Sequence, residues 1–428
     1  MKPKIINILP HEPDYDFKGE ERPEVHWDTP DGQWVGIYRN EIPNKLGREV
    51  LRYTDAFDYE VWQPDYRADK MYTYRFEEDG LVHRLFPATT TREMHGLKVL
   101  HHLHTPAMGD FLDRYAQKNN LVINMNGDLT TTNLALLSHM EHLPVLQSFR
   151  GTINLPHTRI FQPRRNFLAS INYVKRYFQV EKYIKFIDHV SYQNNLHMGA
   201  LEHLYRGPKT KITSGCNFSF WKNSDKADAR AAEGLPPEKP VMLVSSLLIM
   251  RKQIDKLIEV LIKLSPHHDF LLIVSGHGTE EYEAYLKALA QPLLERDQIR
   301  FVGFLTGEVM RNYFNGADLF INPSKSEGGP VSAMKAIACE TPVFSTDSGN
   351  VAERMRDNGT GILVGIEAYD DWEKHLNAFL SGQPVTCFDR QEARNHYDWQ
   401  TIAGQFASIY RTIYQLYYRQ AVNLRKVS

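Results

Sequence analysis

Cysteine is scarce: Cys216, Cys339 and Cys387 are the three in 428 residues. An odd number at wide spacing excludes a disulfide framework and a spaced thiolate metal site, and places the chain in a reducing cytoplasm. Long hydrophobic runs are also missing. The longest, from Val241 to Met250, contains two serines and is about half the ~20 residues that span a bilayer. No membrane crossing is expected, although peripheral attachment to the inner membrane surface stays open. The opening Met1 to Pro10 has basic residues before its apolar stretch, but that stretch is shorter than the roughly 7–15 residues of a signal peptide. It reads as a first β-strand. Charge of one sign is lacking too, with 50 Lys plus Arg against 52 Asp plus Glu. A net charge of −2 creates no global field for nucleic acid or anionic lipid, so such a partner needs a local patch. With 26 Gly, 22 Pro and 42% hydrophobic residues, collagen-like, coiled-coil and wholly disordered classes are excluded.

What is present is length enough for roughly two to three domains. In the first half, Pro10 to Pro30 is a polar loop, Asn40 to Phe57 has helical apolar spacing, and Tyr59 to Trp62 reads as a strand. Tyr72 to Phe76 and Leu81 to Phe86 flank a turn and predict a hairpin. Leu97 to Leu103, Leu121 to Met125 and Leu143 to Phe149 are further candidate buried strands, separated by helical segments such as Gly109 to Lys118.

After the Pro-rich break at Gly234 to Pro240 the pattern is clearer. Strand-like runs at Val241 to Ser245, Phe270 to Ser275, Ile299 to Gly303, Leu319 to Asn322 and Pro342 to Ser345 alternate with helical stretches. Strands alternating with helices imply a parallel sheet. The expected organisation is two doubly wound, Rossmann-like α/β domains. Residues 1–220 form the first, to which a returning helix at 400–428 belongs, and residues 221–399 form the second. Such sheets bind ligands outside the carboxyl ends of their strands.

Ile321-Asn-Pro-Ser-Lys-Ser-Glu327-Gly-Gly-Pro330 fits that position: a strand, then a loop with an acid and two glycines, then Pro330 at a plausible first helical position. Free N–H groups at a helix start cradle an anion such as a pyrophosphate. By itself the segment reads equally as an ordinary Gly-rich turn. It is one of an ordered set, with Ser275-Gly-His-Gly278, Phe301 to Leu305, Gly316 to Ser324, Thr341 to Gly349 followed by Glu353, and Gly359 to Val364. This set resembles the nucleotide-sugar-binding half of the group 1 glycosyltransferases, the large retaining family that includes glycogen and sucrose synthases and has the GT-B fold. The resemblance is strong over residues 238–365 and weaker in the closing helix around Tyr397 to Tyr410.

The resemblance implies transfer of a sugar from a nucleoside diphosphate to a hydroxyl, with retention at the anomeric carbon and no metal. It implies two domains facing a central cleft, the first binding the acceptor and the second the nucleotide sugar, with the last helix crossing back to the first. Glu327 matches the acid that contacts donor sugar hydroxyls; an acceptor-only carboxylate suits a pair of hydroxyls. Gly328 and Gly329 would present backbone N–H groups to the sugar and distal phosphate. Lys252 aligns with the lysine that neutralises the diphosphate leaving group, the main electrostatic task of the reaction. Gly303 to Leu305 match the loop whose backbone meets the nucleobase. Three departures stand out. Lys335 replaces the glutamate that grips the ribose diol, and would instead donate to a phosphate or sugar oxygen or point to an unusual nucleotide. Ser245-Ser246 replaces a Gly-Arg, leaving Arg251 to supply the second phosphate cation. Asn350 replaces a glycine. In the first half, Arg150 stands near the family's usual His-Gly and becomes a catalytic candidate facing the leaving group.

Three other features have plain readings beside the functional ones. His101, His102 and His104 cluster near a strand end, but adjacent residues of a strand face opposite ways and do not make a metal site. Asp14-Tyr-Asp16 mimics a metal motif of the other glycosyltransferase fold and reads as loop. Residues 150–185 carry eight Lys or Arg against one acid, Glu181, among six aromatics. That pattern suits a solvated helix, or else a dock for anionic lipid or a polyanionic acceptor, nucleic acid being the lesser reading. The expected function is thus polysaccharide biosynthesis with a UDP-sugar, or a GDP-sugar, and a glycan or lipid-linked acceptor. The alternatives are a catalytically silent nucleotide- or glycan-binding subunit and a nucleotide-sugar epimerase.

Overall fold

The computed structural model describes residues 2–9, 25–30, 34–37, 42–95, 98–127, 129, 131–150, 178–195, 198–199, 202 and 205–427. The chain forms two compact units, one of residues 1–212 with 400–428 and one of residues 213–399.

The first unit is built on an eight-stranded sheet. Its spatial order is Lys209–Lys211, His189–Tyr192, Val145–Ser148, Leu121–Asn126, Lys4–Ile8, Asp58–Asp65, Val82–Pro87 and Tyr72–Arg75. All neighbours are parallel except the last pair, an antiparallel hairpin at the edge. The opening strand lies mid-sheet because Ile5, Ile6 and Ile8 are apolar on both faces and fully buried. Leu46 and Val50 of the Ile42–Tyr53 helix are buried one turn apart. The Lys98–His104 strand does not enter this sheet, contrary to the sequence expectation. It pairs antiparallel with Thr89–His95 in a separate two-stranded ribbon.

The second unit has a six-stranded, all-parallel sheet. Its order is Ile299–Gly303, Leu271–Ser275, Val241–Ser245, Leu319–Asn322, Val343–Thr346 and Ile362–Val364. The helices between the strands are amphipathic. Ile254–Leu264, for example, buries Ile254, Leu257, Ile258, Leu261 and Leu264 at helical spacing. The last helix, Trp399–Val427, returns to the first unit. Ile402, Phe406, Tyr410 and Ile413 make its buried stripe, and Tyr410 meets Phe57 and Tyr59 edge-on. The fold is therefore the GT-B type, two Rossmann-like doubly wound units in one chain.

Candidate functional site

In the second unit the strand order reverses between Val241–Ser245 and Leu319–Asn322. Loops leaving the carboxyl ends of strands at such a switch point form the ligand crevice of a doubly wound sheet. Lys252 lies on the first of these loops, in a short 3-10 turn at Met250–Lys252, and Glu327 lies on the second. Gln253 follows Lys252 at φ 51°, a left-handed conformation rare outside glycine. Its buried amide repays that strain. It donates to the carbonyls of Pro323 and Ile366 and accepts from the Tyr369 hydroxyl, which fixes the lysine loop to the loops that follow Leu319–Asn322 and Ile362–Val364.

Lys252 Nζ lies 2.5 Å from Glu327 Oε1, and the Ser324 hydroxyl donates to the same oxygen at 2.5 Å. Arg251 reaches 3.9 Å from Glu327 Oε2 and also donates to the Ser326 carbonyl. Three predicted site residues are thus brought together. Behind them, Thr346 Oγ1 and Ser348 Oγ both donate to the Ser324 carbonyl, at 2.6 and 3.1 Å. Gly349 presses on the acid directly. It has φ 79°, and a Cβ there would stand 2.7 Å from Glu327 Cβ. The Asn350 N–H donates to the Gly328 carbonyl at 3.0 Å, and the Asn350 amide donates to Thr213 across Gly329. Asn350 therefore fastens the glutamate loop where the family pattern has a second glycine.

The other predicted donor-binding residues are dispersed around this centre. Gly328 and Gly329 follow the acid. Pro330 is buried and precedes the Val331–Ala338 helix as its N-cap, one position earlier than the sequence suggested. Gly303 ends its strand at φ 70°, and its carbonyl accepts from Gly276 N–H at 2.8 Å. Leu305 packs on the core. Gly276 also touches Ser246: a Cβ at 276 would fall 1.8 Å from the Ser246 carbonyl oxygen. The Ser246 hydroxyl donates to the Leu247 carbonyl at 3.2 Å. Lys335 needs a correction. Its ammonium does not join Glu327, Lys252 and Arg251 but sits 4.6 Å over the Trp221 ring. It lies near the Cys216 and Cys339 thiols, and burial pushes its pKa down. The cause is helical phase: Lys335 projects among the apolar side chains that pack this helix on the core, toward Trp221.

Arg150 belongs to the first unit, just past the carboxyl end of Val145–Ser148. Its Nε donates to Asn126 Oδ1 at 2.9 Å and its guanidinium lies 5.3 Å over the Phe406 ring. Nη2 is buried without a hydrogen-bond partner among the described residues, and burial pushes the pKa down. Around it runs a polar chain that sequence reasoning missed. Ser191 donates to Ser148, Ser148 to Asn124, and Asn124 to both Asn7 and the Tyr410 hydroxyl. Asparagines in short apolar runs were its only sequence signal.

Among the described residues no group of three His, Cys, Asp or Glu side chains is placed to hold a metal. No helix of the described residues is long and apolar enough to cross a membrane. Asp14 and Asp16, the side chains of His101 and His102, and residues 151–177 of the basic stretch lie outside the described residues.

With this geometry in view, comparison with known proteins is direct. Residues 225–397 match the family of glycosyl transferases group 1. That match spans nearly the whole of the second unit, where the motifs lie. An uncharacterised glycosyltransferase of Methanocaldococcus jannaschii is 25% identical over 191 residues, 44% of this chain and 48% of that one. A D-inositol 3-phosphate glycosyltransferase of Mycobacterium sp. strain KMS is 31% identical over 178 residues, 41% of this chain and 40% of that one. The chain spans about half the length of the curated relatives it matches. In fold, sucrose-phosphate synthase of Thermosynechococcus elongatus is similar with a TM-score of 0.70 at 16% identity, covering 97% of this chain and all of that one. Anabaena HepE, solved in complex with UDP, follows at 0.65 and 15% identity, covering 96% and 100%.

Proposed function

We propose that this protein is a retaining glycosyltransferase that moves a sugar from a nucleoside diphosphate, a UDP-sugar by preference and a GDP-sugar otherwise, to a hydroxyl of a glycan or lipid-linked acceptor. The observation that carries the reading is the Lys252–Glu327 pair on the two loops that leave the sheet at its switch point. Glu327 is an acceptor for sugar hydroxyls, while Lys252 and Arg251 offer positive charge for the diphosphate as its bond to the anomeric carbon breaks. Pre-aimed charge of this kind is the largest usual contribution to such a reaction. Gly328 and Gly329 keep the backbone close to the sugar, and Gly303 to Leu305 take the base.

UDP and UDP-glucose are bound by the similarly folded Anabaena HepE, which supports a uridine donor here. The D-inositol 3-phosphate of the relatives' names is an acceptor carrying a phosphate. A buried guanidinium with no carboxylate partner among the described residues, Arg150, suits an anionic group in the acceptor-binding first unit. Three free cysteines fit work in the cytoplasm.

The test is transfer or slow hydrolysis of a panel of UDP-, GDP-, dTDP- and ADP-sugars, preceded by thermal shift, since a bound donor stabilises the fold by mass action. Turnover of one donor class, lost in Glu327→Ala with the fold intact, is the expected result. The second reading, a silent nucleotide-binding subunit, draws on Lys335, which gives the ribose no carboxylate. Nucleoside diphosphate binding without turnover of any donor would select it. Interconversion of donor sugars with no acceptor present would select an epimerase.

A further inference from the structure

The first unit has a recess of about 870 Å³ at the amino-terminal ends of its strands, away from Arg150 and Asn126. Its floor lies where the Leu121–Asn126 and Val145–Ser148 strands begin, whereas Arg150 follows the end of the latter. The length of the first strand, about 16 Å at ~3.3 Å per residue, separates the two ends. A recess of this size is within the range of small-molecule sites, ~300–1,000 Å³.

Its lining defines the ligand. Tyr414, Tyr417 and Tyr418 of the last helix supply one wall. Their rings lie against one another, 4.6 Å between the centroids of Tyr414 and Tyr418 and 5.1 Å between Tyr417 and Tyr418. Each is held by its hydroxyl. Tyr414 accepts from Asn120 at 3.3 Å, Tyr417 donates to the His142 carbonyl, and Tyr418 accepts from the Leu121 N–H at 3.0 Å. The wall is therefore fixed before any ligand arrives, which lowers the entropy cost of binding. The lining also includes Asp113 and Glu141 with amides such as Gln117, and among the described residues no Lys or Arg lines the recess. His139 is oriented there by Asp113, Nδ1 to Oδ2 2.9 Å.

Two carboxylates, with no lysine or arginine among the described lining residues, repel phosphates and nucleotides, which argues against the donor as the occupant. Carboxylates and amides take the hydrogens of hydroxyl groups, and tyrosine faces take apolar C–H surface while tolerating a wet edge. A ligand with both is a sugar ring. We infer that this recess binds a neutral oligosaccharide, at a site separate from the proposed transfer centre. The inference does not require transferase activity.

The experiment is calorimetry of the full chain with a panel of uncharged trisaccharides built of glucose, mannose, galactose and N-acetylglucosamine, with UDP and spermidine as separate titrants. One trisaccharide class is expected to bind. Its affinity should fall about tenfold or more in Tyr417→Ala, which removes one aromatic face worth ~1.4 kcal/mol per tenfold. Glu141→Gln, an exposed change that leaves packing alone, should weaken it several-fold. UDP binding should be unchanged in both. Absence of binding across the panel would overturn the inference, as would saccharide binding that survives both substitutions. Spermidine binding lost in both, without saccharide binding, would overturn it in favour of an organic cation.

Discussion

Lys252 and Glu327 form an ion pair at 2.5 Å between two loops separated by 75 residues of sequence. Each belongs to a strand end on one side of the switch point, so the pair ties the two loops together. Glu327→Ala should reduce donor turnover about tenfold or more, and Lys252→Ala by about 10²–10³, the usual cost of removing one donor aimed at developing charge. Steady-state kinetics with a saturating donor would show it, and circular dichroism would confirm the folded state. Unchanged turnover in Glu327→Ala would remove the acid from the site.

Gly349 offers a structural test of the same carboxylate. A methyl group at this position meets Glu327 Cβ at 2.7 Å and the Gly328 carbonyl at 3.1 Å, on a backbone at φ 79°. Gly349→Ala should cost about 1–3 kcal/mol of stability from the left-handed backbone and displace the acid. Thermal melts and turnover should fall together, whereas Asn350→Gly, which restores the family glycine, should lose only the amide contact with Thr213.

Arg150 is a buried cation with no carboxylate partner among the described residues, held by Asn126 and the Phe406 ring. A buried charge with no counter-charge bears a desolvation cost that an apolar side chain of similar size does not. Arg150→Met should therefore leave the melting temperature of the first unit unchanged or raise it while transfer falls about tenfold or more, the effect of a lost charge at a reacting centre. A large loss of stability with unaltered transfer would make Arg150 a packing residue only.

The second unit was the more legible in the sequence, for a physical reason. Strands such as Val241–Ser245 and Leu271–Ser275 are covered on both faces and read as unbroken apolar runs. The motifs fell on their carboxyl ends, so Glu327 and Lys252 were found together. In the first unit the same positions carry Asn7, Asn124, Asn126 and Ser148, all buried, and the polar chain they form is visible only when the strands are side by side. The Lys98–His104 segment misled because its valine and leucines read as a strand of the main sheet, whereas it pairs in a ribbon. Lys335 misled because sequence position fixed its helix but not which side chains it meets.

His83 sets an acid limit on the first unit. It is fully buried, its Nδ1 lies 2.9 Å from Asn44 Oδ1, and burial pushes its pKa down to about 3. Below its unfolded value of about 6.5 the unfolded chain binds a proton that the folded one refuses. The stability contributed by neutral His83 is complete above that pH and is lost progressively as pH falls toward about 3. Denaturant titrations at pH 7 and pH 5 should differ less in His83→Gln than in the parent chain; equal differences would show that another group governs the acid limb.

Lys335 gives the opposite limb, and its two readings predict different results. Its ammonium lies over Trp221 near two thiols, with its pKa lowered by burial. Well below the folded pKa, both folded and unfolded chains carry the charge, and the folded state bears the full desolvation cost. As pH rises from the folded pKa toward the ordinary lysine value of about 10.5, the folded chain loses its proton while the unfolded chain keeps it, so stability rises with pH. Lys335→Met removes that cost and should raise the melting temperature at pH 7, while flattening the alkaline rise. The attraction to Trp221 that it gives up is smaller, about 0.5–2 kcal/mol. Lys335→Glu separates the readings. If this position faced the ribose, the family carboxylate would tighten nucleoside diphosphate binding. In the observed packing it puts an unpaired carboxylate over an indole, so the melting temperature should drop with no gain in nucleotide affinity, and a tighter nucleotide complex would return Lys335 to the donor site.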